Sequence, residues 1–167
     1  MHTFGGMGKS KIAFPQHHRV ELDGAGKLSS GPRPSVPGGL PEQFGGRAED
    51  WNPESLLAGA VALDFLTTLR SLAHEAELPI HGFRCTGDVT LAKTDGKVAV
   101  QVVLLEVALS VATADGERAK LLARRAKEFC VVANALKFPV EVAVTVHAGE
   151  IAPSLGTAAK ATPQWAG

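Results

Sequence analysis

The sequence predicts an α+β fold, and three observations carry that prediction. A helix without a polar face lies before the middle of the chain, a hairpin of alternating strands follows it, and an amphipathic helix then leads into a valine-rich strand. Strands and helices are not spaced as regular βαβ units, so antiparallel sheets wrapped around a central buried helix are expected. A length of 167 residues with 45% hydrophobic content suits one globular domain with a sizeable core.

The central helix begins at Asn52-Pro53-Glu54. Asn52 is a good N-cap, Pro53 fits the first helical position because its missing N–H would have no partner there, and Glu54 sets negative charge at the positive end of the helix dipole. Leu56 to Leu63 are apolar without interruption, and Phe65 and Leu66 continue the run, so the helix must be wrapped on every side. The run is expected to be too short to span a membrane, with Asp64 and Arg70 interrupting it. Asp64 stands out: it shares a stripe with Leu57, Ala60 and Val61, where an ionised carboxylate is costly unless paired.

The remaining elements follow in order. Residues 1–10 are Gly-rich and expected to be a flexible N-terminus, with one domain over residues 11–150 and a disordered tail over 151–167. Lys11 to Leu22 reads as a first strand, bent or at an edge because of Pro15, and Asp23 to Gly26 as a turn into a strand near Lys27 to Ser30. Gly31 to Gly46 is an irregular connection or edge strand. The helix runs to about Glu77, before Pro79.

Phe83, Cys85, Gly87, Val89 and Leu91 alternate with polar residues, and Asp95-Gly96 marks a two-residue hairpin. The next strand, Lys97 to Ala112, shifts its apolar phase between Val102 and Val103, which predicts a bulge or burial on both faces and hints at a dimer interface. Asp115 to about Leu136 is a second helix with Ala119, Leu122, Ala123, Ala126, Cys130 and Ala133 on its inner stripe. Val140 to Val146 alternates as a final half-buried strand.

Charge and cysteine content narrow the function. Seventeen basic and seventeen acidic residues cancel, so nothing favours a nucleic-acid or anionic-membrane partner. The basic run of Arg118, Lys120, Arg124, Arg125 and Lys127 reads as a solvated helix face. Two cysteines are no disulfide framework, and residues 1–10 lack the apolar core of a signal peptide; a cytoplasmic location with reduced thiols is expected. His17 and His18 point to opposite strand faces without a ligand-spaced neighbour, so no metal site is expected.

In NPESLLAGAVALDF, in the TDGKV hairpin and in EFCVVANAL followed by a valine strand, the chain resembles the OsmC/Ohr family of osmotically induced and organic hydroperoxide resistance proteins. The resemblance covers roughly Arg19 to His147. It implies an intertwined homodimer in which two sheets wrap two central helices. It also implies reduction of organic hydroperoxides by two cysteines, without a bound cofactor, recycled by a dithiol such as lipoyl groups. In that chemistry the first cysteine attacks as a thiolate beside a cation, and the second resolves the sulfenic acid into a disulfide.

By the same resemblance Glu54 matches the family's helix-start Glu, Cys130 its second cysteine and Arg19 its strand Arg, while Asp64 occupies the first-cysteine position. A carboxylate cannot cycle through a sulfenic acid, so the usual two-cysteine activity is expected to be absent. Cys85 falls on the inward face of a strand, where a cysteine is more often packing than chemistry.

Three readings stay open. One is a one-cysteine peroxidase through Cys130 or Cys85. Another is a non-catalytic protein holding a small apolar or anionic ligand in the dimer crevice among Arg19, Glu54 and Asp64. The last is acid/base chemistry by Asp64 and Glu54, which ranks lowest because ten residues of helix separate them by about 15 Å. Asp64 itself is either an inward carboxylate held by Arg19 or another cation, or a group repurposed for binding.

Overall fold

The structure, a computed structural model, describes residues 14–149. The expectations for residues 1–10 and 151–167, and for the start of the first strand, lie outside the described residues. The chain divides into two compact units at Leu57/Ala58.

The first unit holds a small antiparallel sheet of β1 (Glu21–Leu22), β2 (Lys27–Ser29) and β3 (Val36–Pro37), in that order. Asp23 makes the turn between β1 and β2, its Oδ1 accepting the N–H groups of Ala25 and Lys27 at 2.9 Å each. The expected first strand is much shorter than its sequence pattern: residues 16–20 are exposed and lie outside any strand, and only Glu21–Leu22 joins the sheet. Pro15 and the polar run after it offer neither ladder nor apolar face to hold more. The Gly- and Pro-rich connection contains β3 and a 3-10 turn at Glu42–Phe44. Trp51 N–H donates to Pro37 O at 2.9 Å, and Gly39 N–H returns a bond to Trp51 O, bringing the chain to the start of the helix.

Helix α1 spans Pro53–Glu75. Its N-terminus is capped as the sequence implies, with Ser55 N–H donating to Asn52 Oδ1 at 2.8 Å. Its C-terminus closes on itself. Leu78 N–H bonds Ala73 O and Glu77 N–H bonds His74 O, the paired bonds of a Schellman turn, with Glu77 at φ 51° where glycine is usual. By length and composition this helix is apolar enough to cross a membrane, contrary to the expectation from the run alone. Here its stripe of Ala58, Val61, Phe65, Leu69 and Ala73 is buried in the protein core. The burial is one-sided: Leu63 is 61% exposed and Ala60 is exposed too, so the described residues do not wrap the helix as its composition demands.

In the second unit β4 (Gly82–Thr94) and β5 (Lys97–Val111) form the expected hairpin, turning through Asp95 and Gly96 at φ 51° and 78°. Thr90 pairs with Val102 but Leu91 with Val100, so Gln101 is bulged out where the apolar phase changes. Val103, Leu105, Val107, Leu109 and Val111 are all buried. Gly87, paired with Leu105, is where sheet and helix meet: an added Cβ would lie 3.2 Å from Ala58 Cβ and from Leu105 Cδ2.

Two expectations are corrected. Strand β6 (Val140–Ala148) pairs with β5 in parallel, from Val103↔Val140 to Val111↔Ala148, so the sheet β4-β5-β6 is mixed rather than antiparallel. The helical connection carries the chain back to the end where β5 began, so β5, the helix and β6 are a βαβ crossover after all. The second helix is also not continuous. Helix α2 covers Gly116–Phe129, Cys130 leaves the helical region at ψ 106°, and a single turn, α3, follows at Val131–Asn134.

Candidate functional site

The break at Cys130 is where the second unit concentrates its unusual chemistry. Cys130 is 1% exposed and continues the buried stripe of Ala119, Leu122, Ala123 and Ala126. Its Sγ donates to Asp64 Oδ2 at 2.8 Å, and the same oxygen accepts the N–H of Val132 at 2.9 Å. Val132 N–H is one of the donors that the start of a helix leaves without an intrahelical partner. Cys130, although it stands at the cap position, makes no side-chain cap bond. Asp64 therefore caps α3 from across the core, as an Asp at the cap position would do locally.

A second bond fixes the direction of the two helices. Arg118 Nη2 donates to Ala76 O at 2.7 Å, so α1 and α2 touch at 64 with 130 and at 76 with 118, running in opposite directions. Arg118 is also tied to Asp115 at 2.6 Å. The register that brings Asp64 to the break in α2–α3 is thus held at both ends.

The electrostatics are the inverse of what a nucleophilic sulfur needs. Burial first, and then the hydrogen bond to Asp64 and its charge, push the Cys130 thiol up to about 11, against a smaller opposite pull from the N–H groups of Ala133 and Val132. At neutral pH roughly one molecule in ten thousand would carry the thiolate. Cys130 acts as a donor to a fixed acceptor. Cys85, half-buried on β4, is raised to about 11 by burial alone, and its thiol reaches only Thr86 O at 3.5 Å.

Of the four residues singled out by the sequence, Asp64 and Cys130 are brought into direct contact. Arg19 and Glu54 belong to the first unit. Arg19 is exposed, pairs with Glu21 at 3.8 Å and accepts Ser30 Oγ–H on its carbonyl at 2.8 Å. Glu54 sits in the first turn of α1, and its Oε2 is buried without a hydrogen-bond partner among the described residues. A buried carboxylate oxygen left unpaired is expensive. His17 and His18 are exposed, and no group of three metal-ligating side chains occurs among the described residues. Val132 is the member that sequence reasoning misses, because a backbone N–H has no signature in the residue type.

The OsmC-like protein family model matches residues 46–145, more than half of the chain and all of the Asp64–Cys130 site. The chain belongs to the OsmC-like protein family. Solved structures agree with that fold. An OsmC-like protein of unknown function from Vibrio cholerae superposes with TM-score 0.66 at 15% identity, over 72% of this chain and 84% of that one. An organic hydroperoxide resistance protein, OsmC, from Legionella pneumophila gives 0.63 at 22% identity, over 81% and 98%. The organic hydroperoxide resistance protein OhrB of Bacillus subtilis gives 0.58 at 27% identity, over 80% and 98%. No curated protein matches the chain.

Proposed function

We propose that this protein is an OsmC-family member whose hydroperoxide-reducing centre is silent, and that it works as a homodimer holding a small apolar or anionic molecule in the crevice between copies. The observation that carries the first part is the 2.8 Å bond from Cys130 Sγ to Asp64 Oδ2. With a carboxylate in the first-cysteine position there is no sulfur to form the sulfenic acid, and the remaining cysteine is held as a thiol by the group that replaced its partner. No cofactor is needed for this role; a dithiol such as lipoyl groups would enter only if the protein turned over peroxide.

The exposed side of α1 supports the dimer. Leu63 is open on a helix whose only polar side chains between Glu54 and Arg70 are Ser55, Asp64, Thr67 and Thr68, and a second α1 is the natural cover for such a face. The unpaired Oε2 of Glu54 supports the crevice, since a ligand or a second copy would supply its missing donor.

A hydroperoxide consumption assay with cumene hydroperoxide and a dithiol reductant tests this reading. The native protein and Cys130→Ala are expected to be equally inert. Thiol-dependent turnover by the native protein that Cys130→Ala abolishes would replace it with a one-cysteine peroxidase. Light scattering tests the dimer, which Leu63→Glu is expected to dissociate.

A further inference from the structure

Leu66, Arg70 and His74 follow one another at four-residue spacing along one edge of α1, apart from the Asp64 flank. The Schellman turn at Glu77 then folds Leu78 into the core, where it is 4% exposed. His81 N–H on Ser110 O at 2.8 Å pins the segment that enters β4. These pieces line an open pocket of about 480 Å³, with Leu66, Leu78 and Phe83 on its wall and the exposed side chains of Arg70, His74 and His81 at its mouth. Among the described residues no acidic side chain lines it. Arg70 makes no ion pair or hydrogen bond among the described residues.

A guanidinium on an apolar helix, above an apolar wall, suits an anion with a hydrocarbon tail. The negative end of the α1 dipole lies nearby, but its carbonyls are already engaged: Ala73 O by Leu78 N–H, His74 O by Glu77 N–H and Ala76 O by Arg118. The volume falls within the usual range for small-molecule sites.

We propose that this pocket binds a small alkyl carboxylate, its head on the Arg70 guanidinium and its chain against Leu66, Leu78 and Phe83. The site shares no residue with the Asp64–Cys130 pair, so it stands whether or not the peroxidase centre is silent. The carboxylate is selected by charge at one end and by apolar contact at the other.

Calorimetric titration of the full chain with octanoate tests it, with 1-octanol as the neutral analogue of equal chain length. Octanoate is expected to saturate one site per chain and to bind about tenfold or more tightly than octanol. Arg70→Glu should weaken octanoate about tenfold or more, while Arg84→Glu, an equal change of net charge on an exposed strand position, should leave it unchanged. Equal loss in both variants would reduce the effect to general charge and overturn the site. Absence of octanoate binding, accompanied by dissociation of the native oligomer on Arg70→Glu, would mean that a second copy covers the pocket, and would overturn it too.

Discussion

Cys130 and Cys85 reach the same thiol strength by different routes. Both are raised to about 11, but Cys85 is raised by burial alone, on a strand face where its thiol meets only a neighbouring carbonyl. Cys130 adds a carboxylate 2.8 Å away that accepts a hydrogen bond from its S–H and repels its anion. Burial alone would have left Cys130 a raised thiol without a charged partner, like Cys85. The carboxylate gives it a specific clamp, and a clamp of one side chain can be removed by one substitution.

The largest effect should come from restoring sulfur at the clamp. Asp64→Cys is expected to gain dithiol-dependent hydroperoxide consumption at least about tenfold above the native background. In that variant the introduced thiolate attacks the peroxide, releasing the alcohol and becoming a sulfenic acid. The Cys130 thiol then displaces water to form a disulfide, which the dithiol reduces. Cys85→Ser should make no difference. If the gained activity depends on Cys85 instead, the comparison between the two cysteines is reversed.

Removing the clamp without replacing it should separate the two thiols further. Asp64→Ala strands both the Val132 N–H and the Cys130 thiol, and is expected to cost about 1–3 kcal/mol in denaturant unfolding. Asp64→Asn, which keeps an acceptor but loses the charge, should cost less and should speed alkylation of Cys130 while leaving Cys85 alone. Equal acceleration at both cysteines would mean that the unit had loosened as a whole.

The pH dependence follows from the same shifts. A thiol whose pKa is raised on folding keeps its proton in the folded chain while the unfolded chain loses it, so the associated stability is fully present below about 9 and is lost as pH rises through about 11. The stability difference between the native protein and Cys130→Ser should therefore shrink over that window. No change across it would show that Cys130 is not raised by folding. The smallest effect serves as a remote control. Glu77→Gly relieves a left-handed residue at the end of α1 and should add about 0.5–1 kcal/mol without altering either thiol.

What the sequence discloses follows the range of the forces involved. The start of α1 was legible at Asn52-Pro53-Glu54 because capping is local chemistry, and the Asp95-Gly96 hairpin was legible because its turn needs residues that tolerate positive φ. The bulge at Gln101 left its mark as a phase change in a valine-rich strand. The direction of β6 left none, since a half-buried strand has the same alternation whether its neighbour is parallel or antiparallel. The break at Cys130 was hidden because the buried stripe runs straight through it: Ala126, Cys130 and Ala133 keep helical spacing although the backbone does not.

At the site, sequence marked Asp64 as a misplaced carboxylate and Cys130 as an inward thiol, but not that each answers the other. That fact depends on the antiparallel register of α1 and α2, which is set by contacts between residues far apart in the chain. Arg19 pairs with Glu21 within its own short strand region.

Ultraviolet titration of the Cys130 thiolate in a Cys85→Ser background tests the central claim most directly, and the absence of tyrosine from the chain leaves the thiolate band free of phenolate absorbance. The account predicts no thiolate below about pH 9 and a midpoint of about 11, moving down when Asp64→Asn is added. A midpoint near neutrality that Asp64→Asn does not lower would show an activated sulfur, and the silent centre proposed for this protein would be wrong.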